Sequence, residues 1–203
     1  MARRSFLSTA GTVAMSLVLV ALLITAHSYF ITPEQETAPI AHTGARGDVV
    51  DAGRFTMKVG KVRLAESVAE ESFGGPELQK AKGVWVVVEA AVEPTLSPMQ
   101  AGTPTLTNGD DFEFLAGTQL TTTIDQSSVP FEPGIPRRGF LVFEIPTKRL
   151  TPPLTLRMHM TDNGLDDRLA AEAQIDLGLD AGDIEALRAK AAPKVTISEP
   201  GYA

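Results

Sequence analysis

The sequence predicts an all-β domain, an antiparallel sandwich, preceded by one N-terminal transmembrane helix and followed by a short C-terminal helix. Three observations carry this. Two arginines precede a long uncharged apolar run. Between Gly53 and Leu179, about seven to nine short segments of alternating or β-branched character are divided by turn signals, with no helical period between them. Beyond Leu179, an acidic cap precedes a brief apolar helix pattern that Pro193 stops.

Arg3 and Arg4 stand before Ser5–Pro33, which contains no charged residue, and Thr12 to Ile31 supplies the roughly 20 residues a span needs. Tyr29 and Phe30 lie where aromatic rings favour the membrane interface. The arginines place the tip in the cytoplasm and everything after Pro33 outside. Segment 1–33 reads as a retained signal-anchor. The alternative is a signal peptide cleaved near Ala26-His27-Ser28, which would release a secreted protein. Arg3-Arg4-Ser5-Phe6-Leu7 also resembles a twin-arginine export signal. Segment 34–52 is polar, with little periodicity, and reads as an extracellular tether.

In segment 53–179, Phe55, Met57 and Val59 alternate, and Val62 and Leu64 continue on the other parity across Gly60, which predicts a β-bulge. Residues 66–82 read as a loop. Val84–Val92 is apolar on both parities, so it reads as a central strand covered on both faces, with Trp85 in a core. Pro104–Thr107 is a short strand, and Asn108-Gly109-Asp110-Asp111 is a hairpin turn in which Asn-Gly suits positive φ. Phe112 and Phe114 alternate beyond it. Leu120–Ile124 reads as a strand because it is β-branched. Gly139–Pro146, Leu154–Thr161 and Ala171–Leu177 complete the series. In segment 180–203, Asp183 caps a helix over Ile184–Ala191, and Lys194–Ala203 is a tail.

Two phrases suggest a family. They are Gly83-Val-Trp-Val-Val-Val-Glu-Ala-Ala-Val-Glu93 and Phe131-Glu-Pro-Gly-Ile-Pro-Arg-Arg-Gly-Phe-Leu-Val-Phe-Glu-Ile-Pro146. Together they resemble the immunoglobulin-like domain-of-unknown-function family of exported Gram-positive proteins, to which the secreted mycobacterial immunoprotective antigens are related. The resemblance covers about 55–178 and implies an immunoglobulin-like sandwich. The chain departs from the common pattern in lacking a lipobox cysteine and in having Glu93-Pro94 where Asn is frequent. The family carries no established catalytic residues, so none are transferred.

Composition narrows the chemistry. The 203 residues carry a net charge of −7. Without Arg3 and Arg4, the exported segment 34–203 carries −9. With no basic cluster, the chain is a poor partner for nucleic acid or anionic polymers. With no cysteine, it has no disulfide, thiolate metal site or lipid-modified cysteine. No Gly-x-Ser-x-Gly is present, and the histidines are His27 in the span, His42 in the tether and His159 on a strand. His159 shares a face with Arg157, opposite Met158 and Met160, and reads as solvent-facing. Asp110 with Asp111, and Asp162, Asn163, Asp166 and Asp167, offer oxygen ligands for calcium, but neither set matches an EF-hand loop and both read as turn formers. Glu89, Glu93, Glu113 and Glu144 lie on strands where a carboxylate pair could form, although solvated strand faces commonly carry Glu.

No catalytic, cofactor or metal residue is therefore assigned. The expectation is a non-enzymatic, membrane-anchored binding module at the cell envelope, working through loop 66–82 or turn 125–138. The alternative is an accessory subunit of an envelope complex such as a transporter, with Ala10, Gly11, Ser16 and Thr25 packing on another helix.

Overall fold

The computed structural model describes residues 2–28, 37–70, 76–117, 119–162 and 169–202. The chain divides into two units, Met1–Ala38 and Pro39–Ala203. The first holds a helix of 27 residues, α1 (Ala2–Ser28). Its described side chains, 12–26, are exposed throughout. Among the described residues no helix is long and apolar enough to cross a membrane. The expected helix is therefore present, but the span read from the sequence is not shown by it.

The second unit is a sandwich of two sheets. The strands are β1 (Ile40–Ala45), β2 (Val49–Asp51), β3 (Phe55–Glu70), β4 (Glu77–Pro94), β5 (Gln100–Ala101) and β6 (Thr105–Thr107). They continue as β7 (Glu113–Leu115), β8 (Arg137–Ile145), β9 (Thr155–Thr161), β10 (Ala171–Asp176), β11 (Val195–Ile197) and β12 (Gly201–Tyr202). Among the described residues, one six-stranded sheet runs β1-β10-β9-β6-β7 with β5 beside β9. The other runs β11-β3-β4-β8-β12 with β2 beside β3. Pairing is antiparallel except for β1 with β10 and β11 with β3.

The main core lies between the sheets. Phe55, Met57, Val59, Val62, Leu64, Val86 and Val88 from one side meet Leu106, Leu156, Met158 and Ile175 from the other. The register shift between Val59 and Val62 is the expected bulge, and it keeps both parities of β3 pointing inward. β4 is central in its sheet and buried on both faces. Val84, Val86, Val88, Ala90 and Val92 enter the main core, and Trp85 and Val87 enter a second one on the outer face. That second core also holds Ala65, Val68, Leu120, Val142, Val195 and Ile197. A further register shift between Ala65 and Ser67 accompanies it, and Trp85 Nε1 donates to Gln79 O at 3.1 Å.

Several expectations are corrected. Residues 66–70 and 77–82 are strand rather than loop, and 71–75 lie outside the described residues. Leu120–Ile124 is not a strand. Thr121–Thr123 bend into a 3-10 turn, Ile124–Gln126, so that Leu120 fills the outer core and Ile124 the inner one. Of the expected tether, 40–45 and 49–51 are strands of the sandwich, and His42 sits on β1 opposite Ala173. The expected tail supplies β11 beside β3 and β12 beside β8. The C-terminal helix is α2 (Ala181–Ala189), capped by Asp180; Asp183 is the third helical residue and completes a capping box. In the Asn108–Asp111 turn the left-handed residue is Asp111, φ 58°, rather than Gly109. Gly109 is needed for another reason: a Cβ there would overlap Pro152 O.

Candidate functional site

Strand alternation builds the first candidate. Leu156, Met158 and Met160 face the core, so Arg157 and His159 face outward. His159 lies opposite Glu172, and Arg157 lies opposite Gln174 on one side and Thr105 on the other. Arg157 donates through Nε to Glu172 Oε1 at 3.1 Å and through Nη1 to Glu113 Oε1 at 2.8 Å. Gln174 Nε2 adds a bond to Glu172 Oε1 at 2.7 Å. The guanidinium thus ties β10 to β7 across β9 and β6, and it neutralises a Glu172 side chain only 7% exposed. A cleft of about 520 Å³ opens over this network, lined by Pro39, Gly102, Asp125, Arg157, His159 and Glu172 among others. His159 is half-buried rather than solvent-facing, because its ring tip packs on Gly102, where a Cβ would overlap it.

The remaining predicted residues are not brought to this cleft, apart from Glu113. Glu89 accepts from Arg63 at 2.8 Å, and Glu144 accepts from Lys82 N at 2.5 Å, both on the other sheet. Glu93 sits opposite Thr56 on that same sheet. No strand pair therefore faces Glu113 with Glu89, Glu93 or Glu144. Asp110 accepts from Thr151 Oγ1 at 3.2 Å. Asp162 is bonded by Arg54 Nη2 and, at 3.4 Å, by Ser97 Oγ. The hydrogen bonds from Arg54 hold its carboxyl below the usual aspartate range. Asn163, Asp166 and Asp167 lie outside the described residues. Among the described residues no group of three His, Asp or Glu is placed to hold a metal.

The second candidate is one end of the sandwich. Four loops meet there and are pinned together. Thr95 N donates to Arg54 O at 2.9 Å, and Gly134 N donates to Pro94 O at 3.0 Å. Met99 and Phe131 exchange backbone bonds at 3.0 and 2.8 Å. Arg137 lies 4.6 Å over the Phe131 ring and donates to Val129 O at 3.1 Å. Arg54 reaches Asp162. From this braced frame Leu96 (82% exposed), Val129 (61%) and Ile135 (42%) project into solvent. Turn 125–138, singled out in the sequence, contributes two of these three. Leu96 was missed, because a lone Leu between Thr95 and Ser97 has no periodic signal.

No family model matches the chain, and no curated protein matches it. Solved structures are similar at low identity. The yjhA protein from Bacillus subtilis is 15% identical, with 65% of this chain and 99% of that one covered and a TM-score of 0.46. An uncharacterized β-sandwich protein from Clostridium difficile is 11% identical, with 68% and 95% covered and a TM-score of 0.42. MPT63, a secreted protein from Mycobacterium tuberculosis, is 20% identical, with 66% and 97% covered and a TM-score of 0.38.

Proposed function

We propose that this chain is a non-catalytic interaction module of the bacterial cell envelope, an immunoglobulin-like exported domain tethered by an N-terminal anchor. The observation that carries the reading is the braced loop end. Side chains as apolar as Leu96, Val129 and Ile135 gain nothing from water, and the backbone bonds around them hold them in place without burying them. A rigid frame that displays apolar side chains loses little conformational entropy when another surface covers them. The anchor is supported by the uncharged run Ser5–Pro33 behind Arg3 and Arg4.

At the cleft over Arg157 the ionisable groups are committed to one another. Glu113 and Glu172 are both engaged by one guanidinium, and the histidine is wedged against a glycine.

The test is site-directed photocrosslinking of the full chain in native membranes. A crosslinker at Leu96 or Val129 is expected to give discrete adducts, of protein or of lipid, while one at Val49 on β2, as exposed as Val129, gives none. Equal yields at the three sites, or none at any, would refute an interaction surface at this end. Alkaline extraction of the same membranes tests the anchor separately: release of the chain would remove it.

A further inference from the structure

The exposed apolar side chains are not scattered over the sandwich. Register places six of the ten described there at one end. Ile40 begins β1 opposite Ala171, at the end where Thr161 of β9 meets Gln100 of β5. Leu169 immediately precedes Ala170, whose carbonyl accepts from Ile40 N at 2.8 Å. Tyr202, 83% exposed, pairs with Arg137 at the start of β8, beside the loop that carries Val129 and Ile135. Leu96 completes the set from the loop tied to Arg54 and Pro94. The opposite end, by contrast, turns exposed Lys148 and the Asp110–Asp111 corner to solvent, and its Phe112 ring is covered by Arg149 at 3.9 Å.

This end, where the six stand beside the exposed Arg54–Asp162 pair and Glu132, is also where the chain comes into the sandwich from α1. Pro39 and Ile40 lie there, and ten residues, 29–38, separate them from Ser28.

We infer that this end docks on a lipid surface, with Leu96, Val129, Ile135, Leu169 and Ile40 dipping into the headgroup and acyl boundary and Tyr202 at the headgroup level. The inference rests on the reading of α1 as a membrane anchor and deepens it by naming what the loop end meets. Three features favour lipid over a protein partner. The residues come from separate segments, and four of them, Leu96, Val129, Ile135 and Leu169, stand on loops outside the strands. They include an exposed tyrosine, a residue type suited to the membrane–water interface. They also lie at the end of the sandwich from which the chain leads to the anchor. Tethering by a short linker sets an effective concentration of the order of millimolar, so a weak attraction suffices to keep the end seated.

The experiment uses the full chain, which has no native cysteine, reconstituted into phosphatidylcholine vesicles containing nitroxide-labelled lipid. A fluorophore is placed in turn by Leu96→Cys, Tyr202→Cys, Lys148→Cys and Val18→Cys. The expected result is quenching at residues 96 and 202 at least threefold stronger than at 148, with 18 quenched as well. Adding Leu96→Ser, Val129→Ser and Ile135→Ser to the Tyr202→Cys chain is expected to bring quenching down to the Lys148 level. Quenching at 18 with none at 96 overturns the docking and leaves the anchor standing. Quenching at 96 with none at 18 removes the anchor and leaves lipid docking standing. No quenching at either removes both. Shielding of the 96 label in native membranes, with none in pure lipid, assigns the end to a protein and overturns the inference.

Discussion

Glu70 is a buried carboxylate, only 3% exposed. Its Oε1 accepts from Thr121 N at 2.6 Å, Thr122 N at 2.8 Å and Thr122 Oγ1 at 2.9 Å. These bonds hold the segment that places Leu120 in the outer core and Ile124 in the inner one. Glu70→Ala leaves the buried Thr122 N–H without an acceptor, at about 1–3 kcal/mol. Thr121 is exposed, so water replaces much of its bond. The expected total is about 2–4 kcal/mol. Glu70→Gln keeps a carbonyl acceptor and loses the assistance of charge, about 1 kcal/mol. Urea unfolding of the full chain at neutral pH is the assay, followed by fluorescence of Trp85, the single tryptophan and a neighbour of Leu120 in the outer core. The midpoint should fall in the order wild type, Gln, Ala with the slope unchanged. A Glu70→Ala loss below about 0.5 kcal/mol, or Gln as damaging as Ala, would refute the claim that this acceptor holds the loop.

Gly83→Ala should destabilise by about 1–3 kcal/mol or more, because a Cβ there overlaps Ile145 O and falls 2.8 Å from Ile145 C; a thermal melt showing no loss would count against that close approach. Arg157→Ala should cost about 1–3 kcal/mol by leaving Glu172 with Gln174 alone, and adding Glu172→Gln should recover some of that loss in the same melt. For Asp162 the folded pKa lies below the unfolded value, so its ion pair with Arg54 contributes at neutral pH and is lost as pH falls through the folded value. The melting-temperature gap between wild type and Asp162→Asn should therefore be open at pH 7 and close as the pH is taken below about 3.9, and added salt should narrow it.

The strands that bury a face were legible from sequence. β4 shows an unbroken apolar run because both its faces are covered, and β9 alternates cleanly because only one is. The bulge at Gly60 was visible as a change of parity. What escaped was structure whose partners are distant in sequence. β1 reads as tether because Ile40–Ala45 is largely exposed and is specified by pairing with β10, some 130 residues away. β11 and β12 are too short to show a pattern. Leu120–Ile124 has strand composition, but its two large side chains serve different cores, which no straight strand allows. At the cleft, alternation correctly paired His159 with Arg157. Nothing local announced Glu172 or Glu113 as Arg157's partners, or Gly102 as the surface under the imidazole.

The way β11 and β12 finish their sheet bears on how the protein is made and how it is damaged. One stretch, 195–202, supplies the outermost strand on both sides of the β3-β4-β8 block. A growing chain that has reached α2 has only β2 beside the first part of β3 on one side and the bridge of Ala116 to Phe143 on the other, so the rest of its long hairpin would present open backbone to any similar chain nearby. Both flanks then close within eight residues of one another. A single proteolytic cut in the bend between α2 and Val195 would loosen both pairings at once, leaving more of β3 and β8 open to foreign strands.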